Sequence, residues 1–565
     1  MAERKAYFAG AGVGSLAGAL FLIRDANFKG ENITIYEPLK VNGGSCDGIG
    51  TPEGGYMMRG GRMLNIPTYE CLQDLMKSVP SLEEKEKTVY DEFIEFNNSF
   101  VTDGKARLVD KNRKVLNVSG MSFTDKHRIQ FLRLILTPEG WLGDQRISDY
   151  FPDDFFRTNF WYMWSTTFAF QTWHSLAEFR RYCIRFLHEF IRIQNLQGVN
   201  RTKYNQYDSI VRPIEVFLRE THGVKFVQGA EVTDVEVEVK ENEKKEKTFT
   251  AKSITVKTDD GEQVIKVNAD DVVIVQNGSM TDAAVLGTMT EPVNMNLEPT
   301  SFKVWEKLAE IDPVAFGNPK PFLRSQAESL WYSFSVTINN NPKFLEREIE
   351  WSGNEPGTGA LVTFKDSNWL MSIVVPKQPH FPNQPENCHV FWGYGLFPDR
   401  VGNFVNKKMI DCTGADILQE LIGHLRFDQD VLEGAICRTC AMPYITSMFM
   451  TRSKGDRPLP CPKGSTNLGF TSQFVEIPGD VVFTVEYSVR AAQMAVYQIC
   501  NIKKPIPKVH HYELNPIIQA KAVAKSYRDS PQGTLFSILA TAGAAVGVAY
   551  AVKKLIPIVK ASLKK

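Results

Sequence analysis

The strongest constraint on the fold is a glycine-rich turn near the N-terminus, placed between a predicted strand and a predicted helix. Residues 6–9 form a short apolar run that predicts a strand, and residues 16–23 are typical of a helix. Gly10, Gly12 and Gly14 lie between them. Such a turn lets the backbone approach a pyrophosphate at the N-terminus of the helix. The segment therefore predicts an α/β fold that binds a dinucleotide.

The residues around this turn have separate predicted roles. Gly10 permits the turn, Gly12 allows close approach of the backbone to the pyrophosphate, and Ser15 is small enough for close helix packing. Residues 33–37 predict the second strand, and that strand ends in Glu37, 22 residues after Ser15. An acid at this distance usually holds a ribose 2′-hydroxyl and disfavours the 2′-phosphate of NADP.

A secretory signal peptide is the competing interpretation of the same segment. Glu3, Arg4 and Lys5 precede an uncharged stretch, residues 6–23, that resembles a short apolar signal core. Four glycines argue against this interpretation, because each costs about 1 kcal/mol inside a helix. A phosphate-binding loop needs at least the first two of them.

Composition restricts the class of protein further. The chain has 565 residues, of which 43% are apolar, so two to four domains with real cores are expected. Its 65 basic and 65 acidic residues cancel, which gives no general attraction for nucleic acid. Nine cysteines, an odd number, favour reduced thiols in a cytoplasmic protein over a disulfide framework. The lone CxxC at residues 437–440 is assigned no role, and no metal site is predicted.

Several segments indicate how the chain is organised. Residues 151–190 contain 14 aromatic side chains, so they line a large apolar site or form a deep core. The charged run 236–247 is typical of an exposed hairpin tip. Residues 270–279 predict a buried parallel strand that returns to the nucleotide sheet and ends in a small-residue turn. Residues 481–488 predict a strand or turn that leads into a further helix, so the nucleotide domain is discontinuous.

The C-terminal tail contains a long uncharged stretch. Residues 534–552 carry no charge and are followed by five lysines. The stretch is long enough to span a membrane, but it is rich in Ala, Gly, Ser and Thr, so its insertion would be marginal. Three interpretations stay open, namely peripheral membrane contact through the lysines, a helix docked on this chain or a partner, and a true span.

Ordered motifs along residues 6–500 resemble those of the oleate hydratases, also called the myosin-cross-reactive antigen family. The matching motifs are residues 10–15, Gly43-Gly44-Ser45, Arg59-Gly60-Gly61-Arg62, Tyr69-Glu70-Cys71, Trp173-His174-Ser175, residues 203–207, residues 378–381, residues 392–395 and residues 474–478. The resemblance implies an FAD-binding enzyme that adds water to the cis-9 double bond of an unsaturated fatty acid. It gives a 10-hydroxy acid, and FAD is not consumed.

The resemblance also assigns the proton donor to Tyr182. The sequence supports this placement, because Phe179, Tyr182, Cys183, Phe186 and Phe190 fall on one helical face and surround the phenol with apolar groups. With an ordinary pKa of about 10, the phenol keeps its proton at neutral pH.

The chain departs from the family after the RGGR motif. Family members usually carry a glutamate there, as the base that activates water, whereas this chain has Met63, which cannot accept a proton. A threonine and an asparagine of the family correspond to Val374 and Pro376 here. Three alternatives follow. Hydration persists with water held by Gln206 or a carbonyl, the enzyme isomerises double bonds, or it is an FAD-dependent oxidoreductase.

The full prediction is an α/β, Rossmann-like two-dinucleotide-binding fold with an inserted substrate domain and a C-terminal helical tail. The predicted FAD-binding segments are residues 1–120, 201–300 and 461–503, the aromatic-rich substrate region is 121–200, the substrate-binding domain is 301–460, and the tail is 504–565. The residues predicted to bind FAD are Gly10, Gly12, Gly14, Ser15, Glu37, Gly43, Gly44, Ser45, Arg59, Gly60, Gly61, Arg62, Asn277, Ser279, Glu476 and Ser488. The expected partner is a long-chain unsaturated fatty acid, without nucleic acid. The protein is expected to be a cytoplasmic monomer or homodimer, with peripheral contact of the tail at the inner face of the membrane as one of the open interpretations.

Overall fold

A parallel sheet of five strands forms the nucleotide-binding half of the molecule. The computed structural model of the chain describes residues 3–61, 63–528 and 543. The strands of this sheet are β1 (Ala6–Ala9), β2 (Ile33–Glu37), β6 (Lys225–Gln228), β10 (Val272–Gln276) and β17 (Leu468–Thr471). Their order is β17-β10-β1-β2-β6, and every neighbouring pair is parallel. The predicted returning strand is therefore confirmed, because β10 lies between β1 and β17.

A second, mainly antiparallel sheet lies beside the first. Its strands are β5 (Leu108–Val109), β11 (Val285–Leu286), β12 (Trp331–Asn339), β13 (Val362–Phe364), β14 (Met371–Val374), β15 (Cys388–Gly395) and β16 (Ile436–Met442). Two smaller sheets contain β3 (Gly48–Thr51) with β4 (Gly55–Met58), and β7 (Glu231–Glu241) with β8 (Lys247–Thr258) and β9 (Gly261–Lys266). Residues 242–246 form the exposed turn between β7 and β8, as predicted for the charged run.

The hairpin of β3 and β4 joins the two halves of the molecule. The Tyr56 amide donates to Thr337 Oγ1 at 2.8 Å, and the Met58 amide donates to Ser335 Oγ at 3.3 Å. Both acceptors belong to β12, which is buried along most of its length. The segment that follows β4, residues 59–61, is thereby placed between the two main sheets.

The helices of the described chain cover and connect these sheets. They are α1 (Val13–Ala26), α2 (Glu70–Met76), α3 (Val89–Ser99), α4 (Asp125–Leu136), α5 (Ile147–Tyr150), α6 (Asn159–Phe168), α7 (Leu176–Arg185), α8 (Arg212–Val216), α9 (Lys303–Ile311), α10 (Pro313–Phe316), α11 (Lys320–Leu323), α12 (Gln326–Ser329), α13 (Lys343–Ser352), α14 (Gly414–Leu425), α15 (Val485–Ile499) and α16 (Pro516–Tyr527). The predicted helix after residues 481–488 is α15, and a turn capped by Thr484, not a strand, leads into it.

Aromatic side chains pack densely around α6 and α7. Phe131, Phe155 and Phe160 form part of one connected cluster of rings with centroids 5.1–6.0 Å apart. Helix α7 ends at Arg185, so Phe186 caps its C-terminus and Phe190 lies in the 3₁₀ turn Leu187–Arg192 that follows. The predicted apolar face thus extends beyond the helix itself, and all five of its members are buried.

The C-terminal part of the described chain packs on the aromatic region. In α16, the carbonyl of Ser526 accepts two hydrogen bonds from Arg128 of α4, at 2.9 and 3.1 Å. The uncharged stretch 534–552 and the lysines after it lie outside the described residues, except for Gly543. In the part of the chain that the structure describes, no helix is long and apolar enough to cross a membrane.

Candidate active site

A narrow groove runs along the carboxyl ends of β1, β10 and β17, where α1 and α15 begin. It encloses about 550 Å³. Backbone and small side chains form much of its wall, including residues 12–14, residues 43–46, Ser279 and Ser488. A groove at this edge of a parallel sheet, beside two helix N-termini, has the geometry of a dinucleotide site.

Three glycines shape the turn beside this groove. Gly10 has a φ of +95°, in the left-handed region that side chains rarely adopt. A Cβ atom on Gly12 would lie 2.2 Å from Gln276 Oε1, and one on Gly14 would lie 2.2 Å from Thr471 Oγ1. Gly14 therefore provides the close packing of α1 on β17, a role that the sequence assigned to Ser15. Ser15 itself is fully buried, with its hydroxyl directed at Gln276 Oε1.

Glu37 lies at the carboxyl end of β2. Its carboxylate accepts hydrogen bonds from the amides of Ala11, at 2.7 Å, and Leu39, at 3.0 Å. Burial raises the pKa of this carboxyl above its ordinary value, although the two amides favour the ionised form. The carboxylate is thus held against the glycine turn.

Buried polar atoms beside the groove lack partners within the described chain. Both side-chain polar atoms of Asn42 and of Asn277 have none, although each residue is at most 1% exposed. Asn42 precedes the Gly43-Gly44 turn, and Asn277 follows β10. Unsatisfied buried amides cost about 1–3 kcal/mol each, so this region suits a bound group that carries many polar atoms.

Two of the predicted cofactor residues form ion pairs within the protein. Glu476 lines neither the groove nor the adjoining cavity, because its carboxylate pairs with Arg181 at 2.6 Å and Arg452 at 2.9 Å. Arg59 Nε donates to Asp47 at 2.7 Å, beside the groove. Arg62 lies outside the described residues. The sequence could not predict the ion pairs of Glu476, because no local pattern marks Arg181 or Arg452 as its partners.

A larger cavity adjoins the groove, with about 1380 Å³ of space that includes its opening to solvent. The two share Ser45, Cys46 and residues 483–485 as a common wall. Gly60, Gly61 and Met63 line the cavity on one side, and Trp331 and Trp392 of the second sheet also contribute. The two volumes form a continuous site that crosses from the nucleotide sheet to the antiparallel sheet.

Tyr182 lies on the wall of this cavity. Its hydroxyl donates to the Val482 carbonyl at 2.5 Å, and its side chain is buried. The rings of Phe168, Phe170 and Phe449 surround it, with centroids 5.0, 5.0 and 5.6 Å from that of Tyr182. Burial raises the pKa of the phenol well above its ordinary value. The phenol therefore retains its proton throughout the neutral range.

Buried ion pairs hold the loop that carries Val482. Asp480 accepts from Arg185 at 3.1 Å and pairs with Arg490 at 3.0 Å, and all three side chains are buried. The Tyr182 ring and its hydrogen-bond acceptor are therefore fixed by α7 and α15 together.

Gln206 and Met63 also face the cavity. Cys46 Sγ donates to Gln206 Oε1 at 3.6 Å, and the buried Nε2 has no hydrogen-bond partner within the described chain. Gln206 therefore has a donor available in the cavity. Met63 lies where the cavity meets an apolar branch of about 500 Å³, which includes Phe168, Phe186 and Ile193. Val374 and Pro376 line the cavity as well.

Polar groups that the sequence did not single out lie in the same cavity. Arg201, Lys377 and His380 line it. Burial lowers the pKa of His380 to about 3, with a further contribution from the Arg201 charge, so the imidazole is neutral. Residues 203–207 and 378–381 are two of the family motifs, and these motifs were the only sign in the sequence that this region is functional. Local sequence cannot show that the two segments meet. They meet because the Asn205 amide donates to the His380 carbonyl at 2.9 Å.

The fold and the site define an α/β protein with a dinucleotide groove open to an apolar cavity. Residues 3–497 match the model of the MCRA family. The chain is 37% identical over 537 residues to an oleate hydratase of Streptococcus pyogenes serotype M49 (strain NZ131), covering 92% of this chain and 89% of the relative. It is 35% identical over 579 residues to a linoleate hydratase of Lactiplantibacillus plantarum, covering 93% and 99%. The chain belongs to the MCRA family.

A solved structure of an oxidoreductase from Methanosarcina mazei shares a weaker likeness. It is 14% identical, with a TM-score of 0.48, over 87% of this chain and 100% of the other. A likeness of this strength indicates nothing about the reaction.

Proposed function

We propose that this protein is a fatty acid hydratase that binds FAD and adds water to the cis-9 double bond of oleate and linoleate. The relatives named oleate hydratase and linoleate hydratase support the reaction class. The observation that carries the proposal for this chain is a buried, protonated Tyr182 in an apolar cavity that opens onto the nucleotide groove.

The groove suits FAD in its shape and its donors. Glu37 would hold the adenosine ribose, and the backbone at residues 12–14 would bind the diphosphate at the N-terminus of α1. Ser279 and Ser488 line the same groove. Hydration transfers no net electrons, so bound FAD would supply polar groups beside the cavity and not a redox step.

Tyr182 begins the reaction by protonating the double bond. The phenol O–H bond breaks, a C–H bond forms at C9, and a cation develops at C10 while the phenolate remains. Phe168 lines the cavity next to Tyr182, and the rings of Phe170 and Phe449 pack against the phenol, so this wall is apolar. Aromatic faces attract a cation by about 0.5–2 kcal/mol each, more so in a dry site.

Water then adds to the cation. The free Nε2 donor of Gln206 can hold a water molecule by its oxygen within the cavity. When the C–O bond forms, that water loses one proton, and the Tyr182 phenolate takes a proton back, directly or through the remaining water. The sum is one water added to one double bond, with the tyrosine restored.

Met63 requires a mechanism without a carboxylate at its position. A general base contributes typically 10²- to 10⁴-fold when the nucleophile is poor or the electrophile is weak. A carbocation is a strong electrophile, so neutral water suffices once it is positioned. Met63 instead extends the apolar surface toward the branch that contains Phe186 and Ile193.

Isotope labelling tests the reaction. The FAD-loaded protein is incubated with oleate or linoleate in H₂¹⁸O, and the products are analysed by mass spectrometry. A hydratase gives a hydroxy acid heavier than the substrate by one labelled water. An unlabelled product of unchanged mass with a shifted double bond would contradict the proposal in favour of isomerisation, and consumption of oxygen would indicate oxidation.

A further inference from the structure

Arg201 is held firmly at the wall of the large cavity. Asn97 of α3 fixes its backbone from both sides, because the Arg201 amide donates to Asn97 Oδ1 at 3.0 Å and the Arg201 carbonyl accepts from Asn97 Nδ2 at 2.8 Å. The preceding residue, Asn200, pairs with Leu64 through two backbone hydrogen bonds of 2.8 Å. The position of Arg201 is thus set by two separate parts of the fold.

The guanidinium of Arg201 has no partner in the described chain. No carboxylate, carbonyl or hydroxyl of residues 3–61 and 63–528 is bonded to it. Burial lowers its pKa to about 10, which leaves it cationic at neutral pH. A guanidinium offers five donors in a rigid fork, so these donors are available to a molecule in the cavity.

The charge of the cavity wall is also unbalanced. Among the described residues that line it, Asp47, Arg201 and Lys377 are charged. Asp47 is already paired with Arg59 at 2.7 Å. Lys377 contacts the face of the Phe100 ring, 5.1 Å from its centroid, and forms no ion pair within the described chain. Two cations therefore remain without an acid.

Such an arrangement matches one end of a fatty acid. An unpaired cation in a low-dielectric site is costly, and a carboxylate offsets this cost through short, charge-assisted hydrogen bonds. The other parts of the cavity and its branch are mainly apolar and suit an alkyl chain.

We propose that Arg201 binds the carboxylate of the fatty acid substrate, with Lys377 as a second cation at the same wall. This inference rests on the proposed function, because it concerns the substrate of that reaction. If the carboxylate is anchored at Arg201, the number of carbons between it and each double bond decides which double bond reaches Tyr182. The rest of the alkyl chain would extend past Met63 into the apolar branch. Arg201 thereby becomes a determinant of which double bond is hydrated.

Binding without turnover tests the anchor. The FAD-loaded wild-type protein and its Arg201→Met variant are mixed rapidly with oleate and with oleyl alcohol, and the change in tryptophan fluorescence, to which Trp331 and Trp392 of the cavity wall contribute, is read before hydration proceeds. The two ligands share an alkyl chain and differ in the carboxylate. We expect Arg201→Met to raise the Kd for oleate about 10- to 100-fold and to leave that for oleyl alcohol within about 3-fold.

Two further variants complete the experiment. Arg201→Lys keeps the charge and should recover part of the oleate affinity. Arg212→Met is the matched control, because Arg212 is exposed, lies outside the cavity and pairs only weakly with Asp208 at 3.8 Å. The control should bind both ligands as the wild type does. The thermal midpoint and flavin content of each variant show whether it folds.

Each outcome has a separate meaning. If wild-type protein binds neither ligand, the proposed function fails. If it binds oleate and Arg201→Met weakens both ligands equally, or neither, the anchor fails while the function stands. A changed absorbance spectrum of the bound flavin in Arg201→Met, with oleate affinity unchanged, would show that Arg201 contacts the cofactor instead.

Discussion

The groove at the parallel sheet and the large cavity beside it share a wall but are built in different ways. The groove is made largely from the backbone of short turns, such as residues 12–14 and 43–46, next to the strands that precede them. The cavity is made from side chains that come from residues 45 to 485. A backbone site is sensitive to added volume, whereas a side-chain site is sensitive to lost functional groups. The following variants test this difference.

The largest effect is expected for Tyr182→Phe, which removes the proton donor from the cavity and leaves its shape. We expect turnover of oleate to fall by about 10²- to 10⁴-fold, with flavin content unchanged. Tyr394→Phe is the matched control, since Tyr394 lines the same cavity and its hydroxyl donates to the Thr166 carbonyl. Equal losses in the two variants would contradict the role of Tyr182.

Gly12→Val tests the groove through its backbone. The new Cβ would lie 2.2 Å from Gln276 Oε1, so the added side chain crowds the groove wall at the residue that caps the N-terminus of α1. We expect flavin affinity to fall by more than about 100-fold, measured as flavin absorbance after gel filtration and reconstitution. Gly140→Val is the control, because nothing lies within 4 Å of a Cβ at Gly140. A yellow, fully loaded Gly12→Val protein would contradict the placement of the diphosphate.

Gln206→Leu removes the amide donor that we assign to water. One hydrogen bond of this kind contributes about 1 kcal/mol, so we expect turnover to fall by about 5- to 10-fold while oleate still binds. The readout is kcat for hydration, with flavin content and the Kd for oleate as controls. Unchanged kcat would remove Gln206 from the mechanism and leave a backbone carbonyl as the holder of the water.

The smallest effect is expected for Met63→Leu. The two side chains have similar volume, and such exchanges are well tolerated in apolar sites. We expect kcat and KM for oleate to stay within about 3-fold, because Met63 supplies only apolar surface. A loss of more than 10-fold would indicate that the thioether takes part in the chemistry.

Much of the nucleotide half was predictable from the sequence. Strand β1, the Gly10–Gly14 turn, helix α1 and Glu37 at the end of β2 appear where the pattern predicts them. These features depend on residues that are neighbours along the chain, and glycine conformation and strand hydrophobicity are local properties. The returning strand β10 was also predictable, because a buried parallel strand is apolar throughout.

The cavity depended on tertiary structure. Glu476 was predicted to face the cofactor, yet it pairs with Arg181 and Arg452, which lie 295 and 24 residues away in the sequence. Arg201 gave no local sign of importance, and its meaning comes from the absence of an acid around it within the described chain. Whether a side chain is paired, and how deeply it is buried, depends on groups that come from segments distant in the sequence.

The sequence by itself determined the class of fold and the glycine turn, since each follows from residue type and local spacing, whereas the choice of Tyr182 as the proton donor came from the resemblance to the oleate hydratases and stays a proposal. Only the tertiary structure decided that Tyr182 lines the cavity with its hydroxyl on the Val482 carbonyl. It also decided that, among the residues it describes, Gln206 Nε2 and the Arg201 guanidinium have no partner. The physical reason is that solvation and electrostatic energy depend on all the atoms around a group, and folding alone brings those atoms together.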